Sequence, residues 1–173
     1  MTTSAAGRSA GEKDILRSSL DRHRDAVIWK LEGLDDEQLR RPMTPTGTTL
    51  LGLVKHLASV EYGWFVETFG GEGETLWFDP YKNEDMRIAP GETTEQIVAF
   101  YGRARAAADR MITELPLAAQ GRPAWRDHSV PLRWVLVHMI EETARHAGHM
   151  DILRELIDGA TGDHRPATPV QRN

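Results

Sequence analysis

The chain has 173 residues, a formal net charge of −5 and no cysteine. This length suits one domain with a sizeable core, and the acidic charge balance argues against a nucleic-acid partner. The lack of cysteine excludes disulfides, thiolate metal ligands and a cysteine nucleophile. No apolar run is long enough to span a membrane and no signal-peptide pattern is present, so we expect a cytoplasmic protein.

The two ends of the chain differ in composition from its middle. Residues 1–12 are mostly small and polar, and residues 161–173 are rich in proline and polar groups. Such segments bury too little apolar surface to fold, so we expect both to be disordered tails. The domain should then occupy residues 13–160.

The first half of that domain is typical of two long helices. Apolar residues recur on one helical face from about Asp14 to Leu34. A short helical turn, DDEQL, should follow. The second long helix begins at Thr48 or Thr49, either of which can cap it, and continues to Phe69.

Two further helices are expected after a long loop marked by glycine and proline. The third opens with a capping box at residues 93–96 and runs to about Leu115. The fourth starts near Ser129, with Pro131 in its first turn, and ends at Gly159. No stretch shows sustained strand-like alternation, so the sequence predicts an all-α four-helix bundle.

The fourth helix carries an unusual stripe of polar residues. His138, Glu142, His146 and His149 follow one another at steps of four, four and three. At 100° per residue and with Glu142 at zero, His146 lies at about +40°, His149 at about −20° and His138 at about −40°. Apolar side chains such as Val135 share this arc. The stripe should therefore face the bundle interior rather than solvent.

Burying a carboxylate costs several kcal/mol unless another group compensates its charge. One interpretation is that Glu142 pairs with a protonated histidine or an arginine, and that the histidines are hydrogen-bonded core residues. The other is that the stripe binds a divalent cation, since residues four apart on a helix can share one ion. We favour the metal because four such groups occur in one apolar stripe.

A second histidine site supports the metal interpretation. His56 lies in the second helix, and its helical neighbours are apolar or glycine. It should therefore point toward the interior as well. Helix bundles build metal sites from side chains on facing helices, and a set of three protein ligands is typical of a catalytic rather than a structural site.

Two stretches together resemble a known family. LLGLVKHLASVEYGWF and WVLVHMIEETARHAGHMDILRE are similar to motifs of the DinB-like superfamily of four-helix metalloproteins, in its actinobacterial branch that includes mycothiol-dependent enzymes. The resemblance covers about residues 13 to 160. It implies a four-helix bundle with up-down-down-up topology, and homodimers are common among such bundles.

The same resemblance implies a ligand set and a co-substrate. The family's metal ligands correspond to His56, Glu142 and His146, and the metal is expected to be zinc, with iron or nickel also suited to these donors. His149 falls where many relatives carry glutamine, so we expect it to line the pocket or contact a metal ligand rather than bind the metal, and we expect a catalytic role for it. His138 should either contact one of the metal ligands or belong to the core.

Three functions are compatible with these expectations. The first is a thiol transferase that uses mycothiol or a similar small thiol against a small electrophile. The second is a metal-dependent hydrolase, and the third is a non-enzymatic metal-binding bundle. Mycothiol-dependent isomerases have a second domain that this sequence lacks, so we expect thiol transfer rather than isomerisation. In the long loop, Trp77, Phe78 and Tyr81 should either cover the site or anchor the loop on the core.

Overall fold

A computed structural model of the protein describes residues 11–162 and residue 164. Within them, five helices and one short ladder form: α1 (Glu12–Trp29), α2 (Asp36–Arg40), α3 (Leu50–Glu61), α4 (Thr94–Glu114), β1 (Gln120–Gly121), β2 (Val130–Pro131) and α5 (Leu132–Asp158). The predicted all-α class is confirmed. The predicted tails, residues 1–12 and 161–173, lie largely outside the described residues, so the domain boundaries stay a prediction.

The long helices pack in two closely contacting pairs. α1 packs on α5, α3 packs on α4, and α3 also contacts α5. Among the described residues, no helix is long and apolar enough to cross a membrane. The contact of α3 with α5 brings together the two segments that carry the candidate site, whereas the up-down-down-up order of the helices stays a prediction.

Three helix ends lie where their capping residues predict them. The Thr49 hydroxyl accepts a hydrogen bond from the Gly52 backbone N–H at 2.9 Å and starts α3. Thr93 does the same for α4 by accepting from the Gln96 N–H at 3.1 Å. At the end of α5, Gly159 adopts a φ of 78°, a left-handed conformation that glycine reaches without strain.

The predicted start of the fourth helix is wrong by three residues. α5 begins at Leu132 rather than near Ser129, and Pro131 precedes the helix in an extended conformation with ψ of 153°. The reason is a pairing that the sequence did not reveal. Val130 faces Gly121 in the antiparallel ladder of β1 and β2, which holds this backbone extended.

The first helix is also shorter than predicted, because α1 ends at Trp29 and residues 30–33 form turns before Leu34. The second helix follows its predicted course to Phe69 but changes its winding on the way. After Glu61 it widens into a π-helical turn at Tyr62–Val66 and then tightens into a 3-10 turn at Glu67–Phe69. This segment leads into the long loop before α4.

Candidate metal centre

Helices α3 and α5 bring three side chains into one cluster. The Nε2 atom of His56 lies 3.4 Å from Oε1 of Glu142, and Nε2 of His146 lies 3.0 Å from the same oxygen. One candidate ligand atom from each of the three residues lies within 4.8 Å of the others. We refer to these residues as the His/Glu/His cluster.

The local sequence explains this geometry. Glu142 and His146 are four residues apart within α5, so they project from the same helical face one turn apart. His56 comes from the middle of α3, which crosses that face. All three side chains are partly buried, with exposed fractions between 13% and 19%. The cluster is therefore accessible to a small molecule but shielded from bulk water.

A carboxylate from the long loop contacts the ring nitrogen of His56 that does not face Glu142. The Nδ1 atom of His56 lies 2.7 Å from Oδ2 of Asp85, which is buried in a 3-10 turn at Glu84–Met86. Sequence reasoning missed this residue, because a single aspartate in a loop gives no spacing signal. Histidine ligands of metals commonly donate their second N–H to such a carboxylate.

His149 lies beside the cluster rather than within it. Its Nδ1 atom is 3.3 Å from Nδ1 of His146, and its side chain is exposed. A groove of about 290 Å³ opens here, and its lining includes Thr44, Thr48, His146 and His149. We call it the histidine groove. His149 is thus placed to contact a molecule in the groove while touching a member of the cluster.

The charges within the cluster depend on one another. Burial would lower the pKa of His56, but hydrogen bonds to Asp85 and Glu142 outweigh this effect and raise it to about 9. Hydrogen bonds from His146 and His56 hold the pKa of Glu142 well below its usual range, although burial acts in the opposite direction. A carboxylate shared by two imidazoles is therefore strongly biased toward its ionised form.

The donor set fits a divalent metal ion. Two imidazole nitrogens and one carboxylate oxygen suit zinc, iron(II) or nickel, and the three atoms converge on one region. Asp85 contacts the second ring nitrogen of His56, the position from which a carboxylate commonly orients a histidine that binds a metal. In this structure Nε2 of His56 and Nε2 of His146 contact Oε1 of Glu142 as hydrogen-bond partners. The same two nitrogens would bind an ion.

The structure separates His138 from the His/Glu/His cluster. Its ring stacks on Trp134 with centroids 5.0 Å apart and meets the edge of Trp64 at 4.6 Å. Burial lowers the pKa of His138, which favours a neutral ring among these aromatics. His138 shares an angular position with Glu142 on the helical wheel, but it lies one turn closer to the start of α5.

The loop aromatics take two different roles. Trp77 packs against Phe100 of α4 with ring centroids 4.8 Å apart, and Phe78 contacts the same ring at 5.9 Å. These two residues anchor the loop on the core, as one of the two interpretations predicted. Tyr81 is 74% exposed and lines a separate pocket near Trp64.

Comparison with known proteins agrees with this arrangement. The family model described as Mycothiol-S-transferase matches residues 15–159, which include all of the cluster, Asp85 and His149. No curated protein matches the chain. The match covers most of the chain and confirms the resemblance to the mycothiol-dependent branch of the DinB-like proteins. The chain belongs to the mycothiol-S-transferase family.

Proposed function

We propose that this protein is a metal-dependent S-transferase that uses mycothiol or a similar small thiol against a small electrophile. The main support is the His/Glu/His cluster, whose three donors leave other ligand positions free for a substrate. The family match points to the same chemistry. Because the chain contains no cysteine, the reacting sulfur would come from the co-substrate.

In this proposal His56, Glu142 and His146 hold one divalent ion, with zinc as the expected metal. When bound, the ion supplies positive charge that favours a thiolate over a thiol at neutral pH, where a free thiol is mostly protonated. The protein's own contribution is to fix the donors. Asp85 accepts a hydrogen bond from the Nδ1–H of His56, which leaves Nε2 of His56 as the nitrogen that would bind the ion beside Glu142.

We assign His149 the role of catalytic base. It is exposed on the histidine groove, and its Nδ1 atom is within hydrogen-bonding distance of Nδ1 of His146. If His146 uses Nε2 as a ligand, its Nδ1–H can donate to His149. That hydrogen bond leaves the proton of a neutral His149 on Nε2, so His149 accepts the proton that the thiol loses at Nδ1, in a conformation in which its ring has turned from His146 toward the groove.

Metal content tests the ligand assignment. Protein purified without a chelator should contain about one divalent ion per chain, as expected for one three-donor site. His56→Ala, Glu142→Ala and His146→Ala should each lower the metal affinity strongly, whereas His149→Ala should lower it less. The assignment is wrong if His149→Ala releases the ion and Glu142→Ala retains it.

A thiol-transfer assay tests the function. The assay combines mycothiol with model electrophiles and compares the wild type with Glu142→Ala and His149→Ala. Both variants should be slower than the wild type, and His128→Ala serves as a control because His128 contacts Asp127 away from the cluster. Equal rates for wild type and Glu142→Ala, or activity after complete metal removal, would leave the hydrolase or the metal-binding bundle instead.

A further inference from the structure

A second pocket lies on the other side of the His/Glu/His cluster from the histidine groove. It has a volume of about 340 Å³, and its lining includes Ser59, Val60, Gly63, Trp64, Tyr81 and Trp125. We call it the tryptophan pocket. Its volume is in the range of pockets that bind small organic molecules.

The helical register of α3 connects this pocket to the cluster. Val60 follows His56 by four residues in α3, so it continues the helical face that His56 occupies, and Gly63 follows in the π-helical turn after α3. At 1.5 Å per residue Val60 lies about 6 Å farther along the helix. Leu53, one turn before His56 on that face, lines the histidine groove. The cluster therefore lies between the two cavities.

A contact with α5 supports the same placement. The Trp64 ring meets His138 with centroids 4.6 Å apart, and His138 precedes Glu142 by one helical turn. Ser59 and Val60 of α3 line the tryptophan pocket, and its lining residue Trp64 contacts α5 at His138. The pocket and the cluster are thus connected through Val60, one helical turn after His56, and through the contact of Trp64 with His138, and no cluster residue lines the pocket itself.

The pocket walls are aromatic, and a glycine keeps space between them. Trp64 and Trp125 meet edge to face with centroids 5.1 Å apart. A Cβ atom at Gly63 would come within 3.2 Å of Cη2 of Trp125, so a larger side chain here must enter the pocket or displace this ring. Trp125 and Tyr81 are 42% and 74% exposed at its mouth. These surfaces suit a flat apolar group.

The charge at the pocket disfavours anions. Glu67 lines it with an exposed side chain, and among the described residues in the lining none is basic. The nearby guanidinium of Arg126 lies over the rings of Trp64 and Trp134, at 5.2 Å and 4.6 Å from their centroids, and is not part of the lining. A ligand with a carboxylate would therefore meet repulsion from Glu67 with no positive partner in the pocket.

We propose that the tryptophan pocket binds the electrophile, and that this electrophile carries a flat, uncharged aromatic group. The proposal rests on the S-transferase function proposed above and names its substrate class. With a chloroarene, the thiolate sulfur forms a bond to the ring carbon, and the carbon–chlorine bond breaks as chloride leaves with the electron pair. The thiol proton passes to His149 and then to solvent.

Binding of 1,3-dinitrobenzene tests the pocket without any reaction, because this ring lacks a leaving group. Equilibrium dialysis with metal-loaded and metal-free protein should give the same affinity. Gly63→Leu should weaken binding at least about tenfold because the new side chain occupies space that the ring would fill. The matched control is Gly102→Leu, since Gly102 is exposed on α4 and a Cβ there meets no atom within 4 Å.

A charge exchange provides a second variant that leaves the core untouched. Wild-type protein should bind 3,5-dinitrobenzoate more weakly than 1,3-dinitrobenzene, and Glu67→Lys should reverse this order. Thermal melting and metal content verify that each variant folds. Equal affinity of wild type and Gly63→Leu for dinitrobenzene, or no response of dinitrobenzoate binding to Glu67→Lys, would overturn the proposal.

Kinetics separate a failure of the pocket from a failure of the function. With mycothiol and 1-chloro-2,4-dinitrobenzene, Gly63→Leu should raise the KM for the chloroarene at least about tenfold, whereas Gly102→Leu should not. Equally efficient conjugation by wild type and Gly63→Leu would support the S-transferase function but would show that the electrophile does not bind in the tryptophan pocket. If the protein has no transferase activity but its binding of dinitrobenzene depends on Gly63, the pocket binds aromatic ligands and the proposed S-transferase function is wrong.

Discussion

Asp85 decides which nitrogen of His56 is available to an ion. An ionised carboxylate only accepts hydrogen bonds, so a neutral His56 carries its proton on Nδ1 and keeps a lone pair on Nε2. That nitrogen faces Glu142 at 3.4 Å. Since Asp85 is buried, water is poorly placed to substitute for it.

Asp85→Ala should therefore weaken metal binding although Asp85 is not a ligand. We expect the affinity to fall about 10- to 100-fold, because His56 loses the partner that fixes its tautomer and ring orientation. Competition with a chromophoric chelator measures this change. Asp127→Ala is a matched control, since Asp127 lies at the same 2.7 Å from a histidine, the exposed His128. Similar affinities for the two variants would contradict an orienting role for Asp85.

The residues of this site differ in how far the sequence reveals them. Glu142 and His146 are recognisable because a spacing of four places both on one helical face. A helical wheel gives angles but not positions along the axis, so it groups His138 with them although His138 stacks on Trp134 instead. The contact of Asp85 with His56 depends on how the long loop folds back onto α3, and no local periodicity in the sequence encodes this fold.

At the scale of elements, α3 and the long loop fit together through a glycine. A Cβ atom at Gly52 would overlap the carbonyl oxygen of Met86 and come within 2.9 Å of the Thr49 hydroxyl. Met86 follows Asp85 directly. Close approach of the loop at Gly52 therefore helps to place Asp85 against His56, one turn farther along α3.

Gly52→Ala should destabilise the protein, although alanine normally favours helix over glycine. The added methyl must push against backbone, so we expect a loss of about 1–3 kcal/mol in the free energy of unfolding, together with weaker metal binding. Gly102→Ala is the matched comparison, because its site in α4 is open, and it should stabilise by about 0.5–1 kcal/mol. Urea unfolding measures both. A stabilising effect of Gly52→Ala would show that the loop does not rest on this glycine.

A buried ion pair anchors the far end of the same loop. Lys55, next to His56 in α3, lies 2.7 Å from Glu92 and donates hydrogen bonds to the backbone carbonyls of Glu84 and Arg87. The Trp77 indole N–H donates to Glu92 at 2.5 Å. Burial would raise the pKa of Glu92, but Lys55 and the hydrogen bonds from Ala89 and Trp77 together lower it.

This depressed pKa gives the loop anchor a defined pH dependence. The stabilisation by Glu92 should be complete above its unfolded-state pKa near 4.5 and should be lost as the pH falls through the lower folded-state pKa. The difference in unfolding free energy between wild type and Glu92→Gln should therefore shrink as the pH drops below about 4.5. Urea unfolding across pH measures it, with Glu72→Gln in the exposed part of the loop as control. A difference that grows on acidification would refute this role.

Helix ends and loop contacts differ in their predictability for a physical reason. Thr49, Thr93 and Gly159 act on backbone groups within one turn, so their residue types alone indicate where helices begin or end. The π-helical turn at Tyr62–Val66 follows no such signal. Its residues contact α4, which is distant in the chain, and the ladder before α5 likewise joins two segments that no local pattern connects.

At the scale of the whole molecule, periodicity predicts the helical class but not every interior contact. Arg24 lies on the buried face of α1, and its guanidinium contacts the Glu61 carboxylate at 2.6 Å and 2.5 Å between α1 and α3. Each residue alone resembles an ordinary surface charge. The contact between the two helices pairs the two charges and so offsets the free-energy cost of burying them. Removing either partner would leave the other charge buried and uncompensated.

Metal binding should stabilise the entire fold, because its ligands are distant in the chain. His56 and Glu142 are 86 residues apart, and Asp85 links the long loop to the same cluster. The unfolded chain therefore lacks the site, so binding favours the folded state. At a free metal concentration of about 100 times Kd, the gain is about 2.7 kcal/mol.

We accordingly expect zinc to raise the Tm by roughly 5–10 °C, given a shift of about 2–4 °C per kcal/mol for a chain of this size. Excess chelator should reverse the shift. Glu142→Ala should abolish the response, whereas Glu141→Ala should retain it because Glu141 is exposed and lies outside the cluster. Differential scanning calorimetry at several metal concentrations measures the effect. Equal responses of the two variants would mean that the ion binds elsewhere, and a Tm independent of metal in the wild type would contradict coupling between this cluster and folding.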